Sequence, residues 1–441
     1  MKRKIFYGWW VVVALFFVGM LGPMARYTIT AFGPFISEEL GWGATSIGLA
    51  LSLSLWVYAI ASIPVGWLID RIGSRRILIL GAILLFFGLW WFSTVRVLWQ
   101  LYLSVGLIVG IGVSMTHFLA TQSTARKWFT KKAGLAGGIL TSAFWIGSGT
   151  LSPLLTGMGN AMGWREACFT YGLGICIIIV LLAWLVIRDT PESMGLLPDG
   201  DSAAGGPGRA DNITEEISWN SSEALKTRSF WMIIIGYALV GIPGQGLLGH
   251  LILWGVQLGW PKATAGVFLS AFTLTLSLTA IPGGWLADRF GKRQVLMISY
   301  GLSTILSLVC WLFVQSAGSL MILMAVFGTV YGISAGPGLW SAYVGDVFGR
   351  ESIGRLFGIM TLGYGLIGGS GPLLWGWVYD VTGQYNLACL LSALCFVLVI
   401  LCLVFAKPIL KGTESLVSQG NYHHEEHEVH EGKNGIKRFV L

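Results

Sequence analysis

Charge is what this sequence has least of. Of 441 residues only 11% are Asp, Glu, Lys or Arg, against about 25% in a soluble domain, which is too few to wet a globular surface. The 21 acidic residues are outnumbered by 28 basic ones, and none of the 21 falls at the middle of a long apolar run. Cysteine is sparse as well. Cys168, Cys176, Cys310, Cys389, Cys395 and Cys402 all lie in apolar runs, and none forms a CxxC pair or a ligand spacing. A disulfide framework and a zinc site are excluded, and inert buried thiols remain.

Catalytic patterns are missing too. There is no HExxH, no ATP-binding loop and no paired carboxylate in an apolar run. The one GxSxG match, Gly332-Ile333-Ser334-Ala335-Gly336, lacks the strand-to-helix elbow that exposes a nucleophile. Gly106-x-x-x-Gly110-x-Gly112 imitates a nucleotide loop but lies inside an apolar run, where helix packing explains it. Soluble enzyme, nucleic-acid binder and disordered scaffold are therefore excluded, and no cofactor or metal is expected.

What is abundant is apolar surface and glycine. Hydrophobic residues make up 55% of the chain, and 61 glycines make about 14%, roughly twice the usual share and suited to close helix packing in lipid. A ~30 Å hydrocarbon core needs about 20 apolar residues per helix. Such runs lie near 7–33, 46–69, 77–95, 100–124, 134–157 and 166–187. After a polar stretch they continue near 230–255, 263–287, 294–315, 319–344, 354–378 and 386–406. The expected fold is all-α, with twelve transmembrane helices. Met1-Lys2-Arg3-Lys4 resembles the start of a signal peptide. The apolar stretch continues to about Gly33 without a small-residue cleavage site, so an uncleaved first span is expected.

Placing the N-terminus inside puts 24 of the 28 Lys and Arg in inner segments. The positive-inside rule then sets both termini in the cytoplasm, of an inner, cell membrane. The basic balance records topology, not a nucleic-acid partner.

The chain contains a duplication. Pro64-Val65-Gly66-Trp67-Leu68-Ile69-Asp70-Arg71-Ile72-Gly73-Ser74-Arg75 recurs as Pro282-Gly283-Gly284-Trp285-Leu286-Ala287-Asp288-Arg289-Phe290-Gly291-Lys292-Arg293, 218 residues later. Pro153-Leu154-Leu155 recurs as Pro372-Leu373-Leu374, 219 later. Two halves of the same sense imply parallel repeats about an axis normal to the membrane. The expected organisation is a six-helix bundle over 1–188, a cytoplasmic linker over 189–229, a second bundle over 230–407 and a disordered tail over 408–441. The tail's His423-His424-Glu425-Glu426-His427-Glu428-Val429-His430-Glu431 reads as a solvated segment rather than a metal site. Asn212-Ile213-Thr214 and Asn220-Ser221-Ser222 fit the glycosylation pattern but face the cytoplasm and are discounted.

The G-x-L-x-D-R-x-G-x-R loop and its repeat, with six plus six spans, resemble the major facilitator superfamily over nearly the whole chain. Tyr7-Gly8-Trp9-Trp10, Pro191 through Gly200, Glu223 through Arg228 and Gly371-Pro372 through Gly383 further resemble bacterial members of its monocarboxylate porter and oxalate–formate antiporter group. The resemblance implies that Asp70, with Arg71, Gly66 and Gly73, latches one half against span eleven while the cavity faces outward. By the same resemblance Asp288 and Arg289 form a second, weaker gating loop, and spans one and seven line a central cavity. The pattern also breaks. Animal monocarboxylate porters carry an Asp/Arg pair in span eight, and oxalate–formate antiporters carry cations in spans eight and eleven. Here span eight, Ala263 to Ala287, has no charge before Asp288, and span eleven has none between Arg355 and Asp380.

Ionisable groups inside a membrane are functional candidates by default, and here they are Arg26, His117 and His250. Arg26 lies ~28 Å into span one and His250 ~30 Å into span seven at 1.5 Å per residue, so the two are expected to face one another in the outer half of the pathway. Arg26 would dock a carboxylate, and His250 would take and release a proton. His117, ~26 Å into span four, lies nearer the cytoplasm. Tyr27, Tyr331 and Tyr364 could donate phenolic hydroxyls. With 21 tryptophans and 13 tyrosines, most aromatics must be packing. The expected function is a monomeric secondary transporter moving a small organic monoanion with a proton by alternating access. An anion antiporter, an amphiphile exporter and a solute-sensing transceptor are its rivals.

Overall fold

A computed structural model of the chain describes residues 6–200, 221–334, 337–348 and 353–406. The central part of the expected linker and the histidine-rich tail lie outside the described residues. All regular structure among the described residues is helical, and a helical element stands at each of the twelve apolar runs. Ten of these helices are long and apolar enough to cross a membrane. The fifth run forms one helix of 30 residues, Ala133–Met162. The eleventh is divided into Ile353–Ile367 and Gly371–Thr382 by a tight 3-10 turn at Gly368–Ser370.

The first run is also divided, into Tyr7–Leu21 and Met24–Leu40. The cause is local: Pro23 brings no amide hydrogen. A Cβ on Gly22 would sit 2.7 Å from Thr116 Oγ1, so only glycine admits the fourth run at this depth. The fourth run changes character along its length. A π-helical stretch at Tyr102–Val109 leads into Gly110–Thr116, and His117 at φ −99°, ψ −144° breaks the helix before Phe118–Trp128.

The duplication is visible in geometry as well as in sequence. Gly41 and Gly259 end equivalent helices at φ +67° and +87°, each between a leucine and a tryptophan. Gly73 and Gly291 turn the chain at φ +86° and +89°, a region open to glycine at little cost. Arg75 donates from Nε to Ala183 O and from Nη2 to Trp184 O; Arg293 does the same to Leu403 O and Val404 O. Each arginine caps the closing helix of its own half, where a cation suits the exposed carbonyls.

The end carrying these arginines also carries Arg126, Lys127, Arg289 and Lys292; we call it the basic end. The halves join toward the opposite, far end. Asp380 accepts from Ala44 N at 3.0 Å and Thr45 N at 2.8 Å, and Lys262 pairs with Glu38. Leu373 N donates to Ser52 Oγ, Trp56 Nε1 to Leu366 O and Ser270 Oγ to Gly149 O. Gly376 packs against Ala44 and Gly48 against Pro372 so closely that a Cβ at either position would meet backbone.

Candidate functional site

Arg26 occupies the first turn of the Met24–Leu40 helix and is 4% exposed. Its Nε donates to Ser54 Oγ at 3.1 Å, and its guanidinium lies 4.8 Å from the centre of the Tyr58 ring. Ser54 and Tyr58 sit one turn apart on Ala44–Ile72, which presents both to the same side chain. Nη2 is buried and finds no hydrogen-bond partner among the described residues. No acidic side chain is near in sequence: Glu38 and Glu39 lie about 18 Å further along the helix at 1.5 Å per residue. A buried cation with a free donor and no counter-charge is costly unless something compensates it. The arrangement can accept an anion.

His117 belongs to the same neighbourhood. Its ring lies 5.8 Å from that of Tyr58 and 5.4 Å from that of Phe144, and its Nδ1 is buried without a partner among the described residues. Tyr58 therefore sits between Arg26 and His117, and Phe144 also touches the Tyr27 ring at 5.8 Å.

The neighbouring Tyr27 points elsewhere. Its hydroxyl donates to Gln245 Oε1 at 2.8 Å, across the join between the halves, and Gln245 Nε2 donates to Tyr364 Oη at 3.3 Å. Tyr364 stacks obliquely on Tyr237 at 4.9 Å. The structure thus brings Arg26, Tyr27, His117 and Tyr364 into one region. Tyr331 is different: its hydroxyl donates to Val240 O at 2.9 Å, and its ring packs among Phe272, Phe327 and Phe396.

His250 is fully buried, and both ring nitrogens are engaged, Nδ1 with Tyr385 Oη at 3.1 Å and Nε2 with Pro372 O at 2.7 Å. Its partners come from the eleventh and twelfth runs, not from Arg26 as helix depth alone suggests. Gly48 of the first half lies directly over the Pro372–His250 pair, so this histidine is sealed into the far-end seam.

At the basic end, Asp70 and Asp288 are exposed. Arg71 stacks on Trp67 with 3.6 Å between guanidinium carbon and ring centre, and Arg289 lies 5.5 Å from Trp285. Gly66 approaches Leu119. The capping carboxylate at this loop is Asp189, which accepts from Arg75 N at 2.8 Å and lies where a Cβ on Gly73 would fall. Asp70 makes no such contact among the described residues.

A sequence profile of the Major Facilitator Superfamily matches residues 15–269 and 251–426, most of the chain. The chain belongs to the major facilitator superfamily. Among its relatives, the oxalate:formate antiporter of Oxalobacter formigenes is 23% identical over 353 residues, covering 79% of each chain. Monocarboxylate transporter 13 of Rattus norvegicus is 26% identical, covering 86% of this chain and 84% of the other. A bacterial homolog of the human lysosomal transporter Spinster, in an inward-facing and occupied conformation, superposes with a TM-score of 0.67 at 17% identity. That alignment covers 91% of this chain and 95% of the other. This major facilitator protein is thus a multi-pass membrane protein whose named relatives are transporters.

Several site residues give little signal in the sequence. Ser54, Tyr58 and Gln245 are uncharged groups inside apolar runs. Asp189 and Asp380 look like ordinary loop charges until the fold carries a distant helix N-terminus to them. Gln245 alone had a readable sign, a lone amide in a run that is otherwise apolar and small from Val240 to Gly249.

Proposed function

We propose that this major facilitator protein is a secondary transporter of a small organic monoanion, monocarboxylate-like and proton-coupled, working by alternating access. The observation that carries the reading is the buried Arg26 guanidinium, whose Nη2 has no partner, and on which no acidic side chain acts, among the described residues. A carboxylate would supply both the missing acceptor and the missing charge. The relatives named for monocarboxylates and for oxalate and formate support an anionic substrate.

The topology goes with it: twelve spans in two bundles, 1–188 and 230–407, with the basic end and both termini in the cytoplasm of the cell membrane. The far-end seam then closes the outer side, and the pathway in this conformation opens inward. Asp70 and Asp288 would be released in this state and engage on inward closure, Asp70 toward span eleven. His250 serves proton exchange only when the seam opens, because Tyr385 and Pro372 occupy both nitrogens here. One carboxylate and one proton move without net charge, so no membrane-potential work of ~2.3 kcal/mol per 100 mV arises.

The test is uptake of labelled pyruvate into proteoliposomes under an inward proton gradient. Arg26→Ala should abolish it, and Arg26→Lys should retain part, since a point charge replaces a fork. Undiminished uptake in Arg26→Ala would overturn the reading. Flux that requires a preloaded counter-anion, with no response to the proton gradient, would favour exchange, as the antiporter relative's name suggests.

A further inference from the structure

The repeat offset of 218 residues fixes which positions of the two halves are equivalent. Gly41 corresponds to Gly259, Gly73 to Gly291 and Arg75 to Arg293, in backbone angle and in hydrogen bonding alike. Met24–Leu40 is continuous from Tyr27 to Leu40, and Arg228–Gln257 is continuous from Gln245 to Gln257, so the register holds back to Tyr27. Its equivalent is Gln245, again 218 residues on. These two residues are hydrogen-bonded to each other at 2.8 Å. Positions related by a two-fold can touch only where the axis passes between them, so the Tyr27–Gln245 bond straddles the pseudo-two-fold axis. In paired-repeat transporters the substrate site lies at the repeat interface near the midplane.

The two sides of this axis differ in charge. On one, Arg26 precedes Tyr27 and offers its unpartnered Nη2. On the other, Gln245 is 6% exposed and its amide nitrogen makes a single 3.3 Å contact, with Tyr364, among the described residues. The position equivalent to Arg26 is Gly244, where a Cβ would meet Tyr331 Oη at 2.5 Å, so the second half cannot supply a mirrored cation there.

We propose that Gln245 is the second half's contact with the transported anion, and that its neutrality sets the substrate's charge at one. This rests on the organic-anion reading and deepens it. A monocarboxylate is neutralised by Arg26 and hydrogen-bonds the amide across the axis. A dicarboxylate would put its second carboxylate against the same amide, which offers donors but no charge. Discrimination then comes from an uncompensated buried charge rather than from size.

The experiment measures stabilisation of the purified full-length chain by pyruvate, acetate and malonate at pH 7.5, in the parent, Gln245→Lys and Gln245→Glu. The parent should bind pyruvate at least tenfold more tightly than malonate. Gln245→Lys should move the malonate-to-pyruvate preference at least tenfold toward malonate. Gln245→Glu should weaken pyruvate at least tenfold, because the new carboxylate competes for Arg26. If the parent binds pyruvate and Gln245→Lys leaves the preference unmoved, Gln245 is not a charge-setting contact and the organic-anion reading stands. If Gln245→Lys does not yield folded protein, Gln245→Glu decides, and unaltered pyruvate binding overturns the proposal. If the parent binds none of the three anions, the organic-anion reading falls and this inference falls with it.

Discussion

Gly48 offers the sharpest test of the far-end seam. A Cβ there would lie well inside van der Waals contact of the Pro372 carbonyl oxygen, 2.8 Å from its carbon and 3.0 Å from His250 Nε2. Ordinary carbon contacts lie at about 3.5–4.0 Å, so in Gly48→Ala the first half must retreat by about 1 Å or the Pro372 carbonyl must move. Overpacking of this kind costs about 1–3 kcal/mol. Moving the carbonyl also strains its 2.7 Å bond with His250, worth about 1 kcal/mol net. About 1–4 kcal/mol then falls on the sealed conformation alone, the upper part only if the carbonyl moves, because the contact vanishes when the halves part. At 1.4 kcal/mol per tenfold, the sealed state loses about 5- to 700-fold in population relative to the parted one. A transporter whose two conformations differ by a few kcal/mol would then be mostly open at the far end.

The assay is a distance distribution between labels on exposed far-end residues of the two halves, Ala161 and Gln384, with the native cysteines replaced. Gly48→Ala should lengthen the principal distance and slow turnover. The control is Gly174→Ala, where a Cβ meets no atom within 4 Å, and it should leave both unchanged. If Gly48→Ala matches the control in distance and turnover, the seam does not limit the conformational equilibrium and the reasoning fails.

Other consequences follow from the caps. Asp380→Asn removes an anion from two helix N–H groups across the seam; at an exposed site this costs about 0.5–1 kcal/mol, and a smaller far-end lengthening in the same assay checks it. Arg75→Ala should lower thermal stability by about 1–3 kcal/mol, Arg293→Ala by a similar amount, and Arg75→Lys should not restore it, because one ammonium cannot span both carbonyls. Asp199, at φ +57°, accepts from Thr130 N, Lys131 N and Lys132 N. Partial burial opposes its charge, but the three backbone donors outweigh it and hold the carboxyl below the usual aspartate value. A depressed value means that its stabilisation is present above the unfolded pKa of about 3.9 and is lost as pH falls through the folded one. Hydrogen exchange at residues 130–132, corrected for the intrinsic rate, should therefore show constant protection between pH 8 and 5 and uniform loss of it in Asp199→Ala.

The limits of the sequence have geometric causes. Apolar run length is a local property of the sequence, and so among the described residues a helical element stands at each of the twelve runs, the first extending seven residues past its expected end. Rise along a helix is legible, since each residue advances 1.5 Å whatever surrounds it. Depth counted from the start of an apolar run is not, because the start of the run does not mark the same level in both halves, and neither is azimuth. Successive residues turn by about 100°, and the direction that matters is decided by neighbours hundreds of positions away. Arg26 and Tyr27 are adjacent, yet one turns to Ser54 and Tyr58 in its own half and the other to Gln245 in the opposite half. Counting from the start of each run places Arg26 and His250 at similar depth, yet the repeat register equates Arg26 with Gly244, six residues or about 9 Å short of His250, and His250 turns into Pro372 and Tyr385. The same holds for the aspartates: nothing in the sequence separates Asp70 from Asp189, Asp199 and Asp380. Only the fold decides that three of them cap a distant backbone segment while Asp70 stands exposed. The repeat offset is the one sequence quantity that carries azimuthal information, because a pair that meets its own equivalent must lie on the axis. Joined to the Tyr27–Gln245 hydrogen bond, it places that pair on the axis without reference to charge, which is why an uncharged amide, absent from an inventory of ionisable groups, emerges beside the arginine.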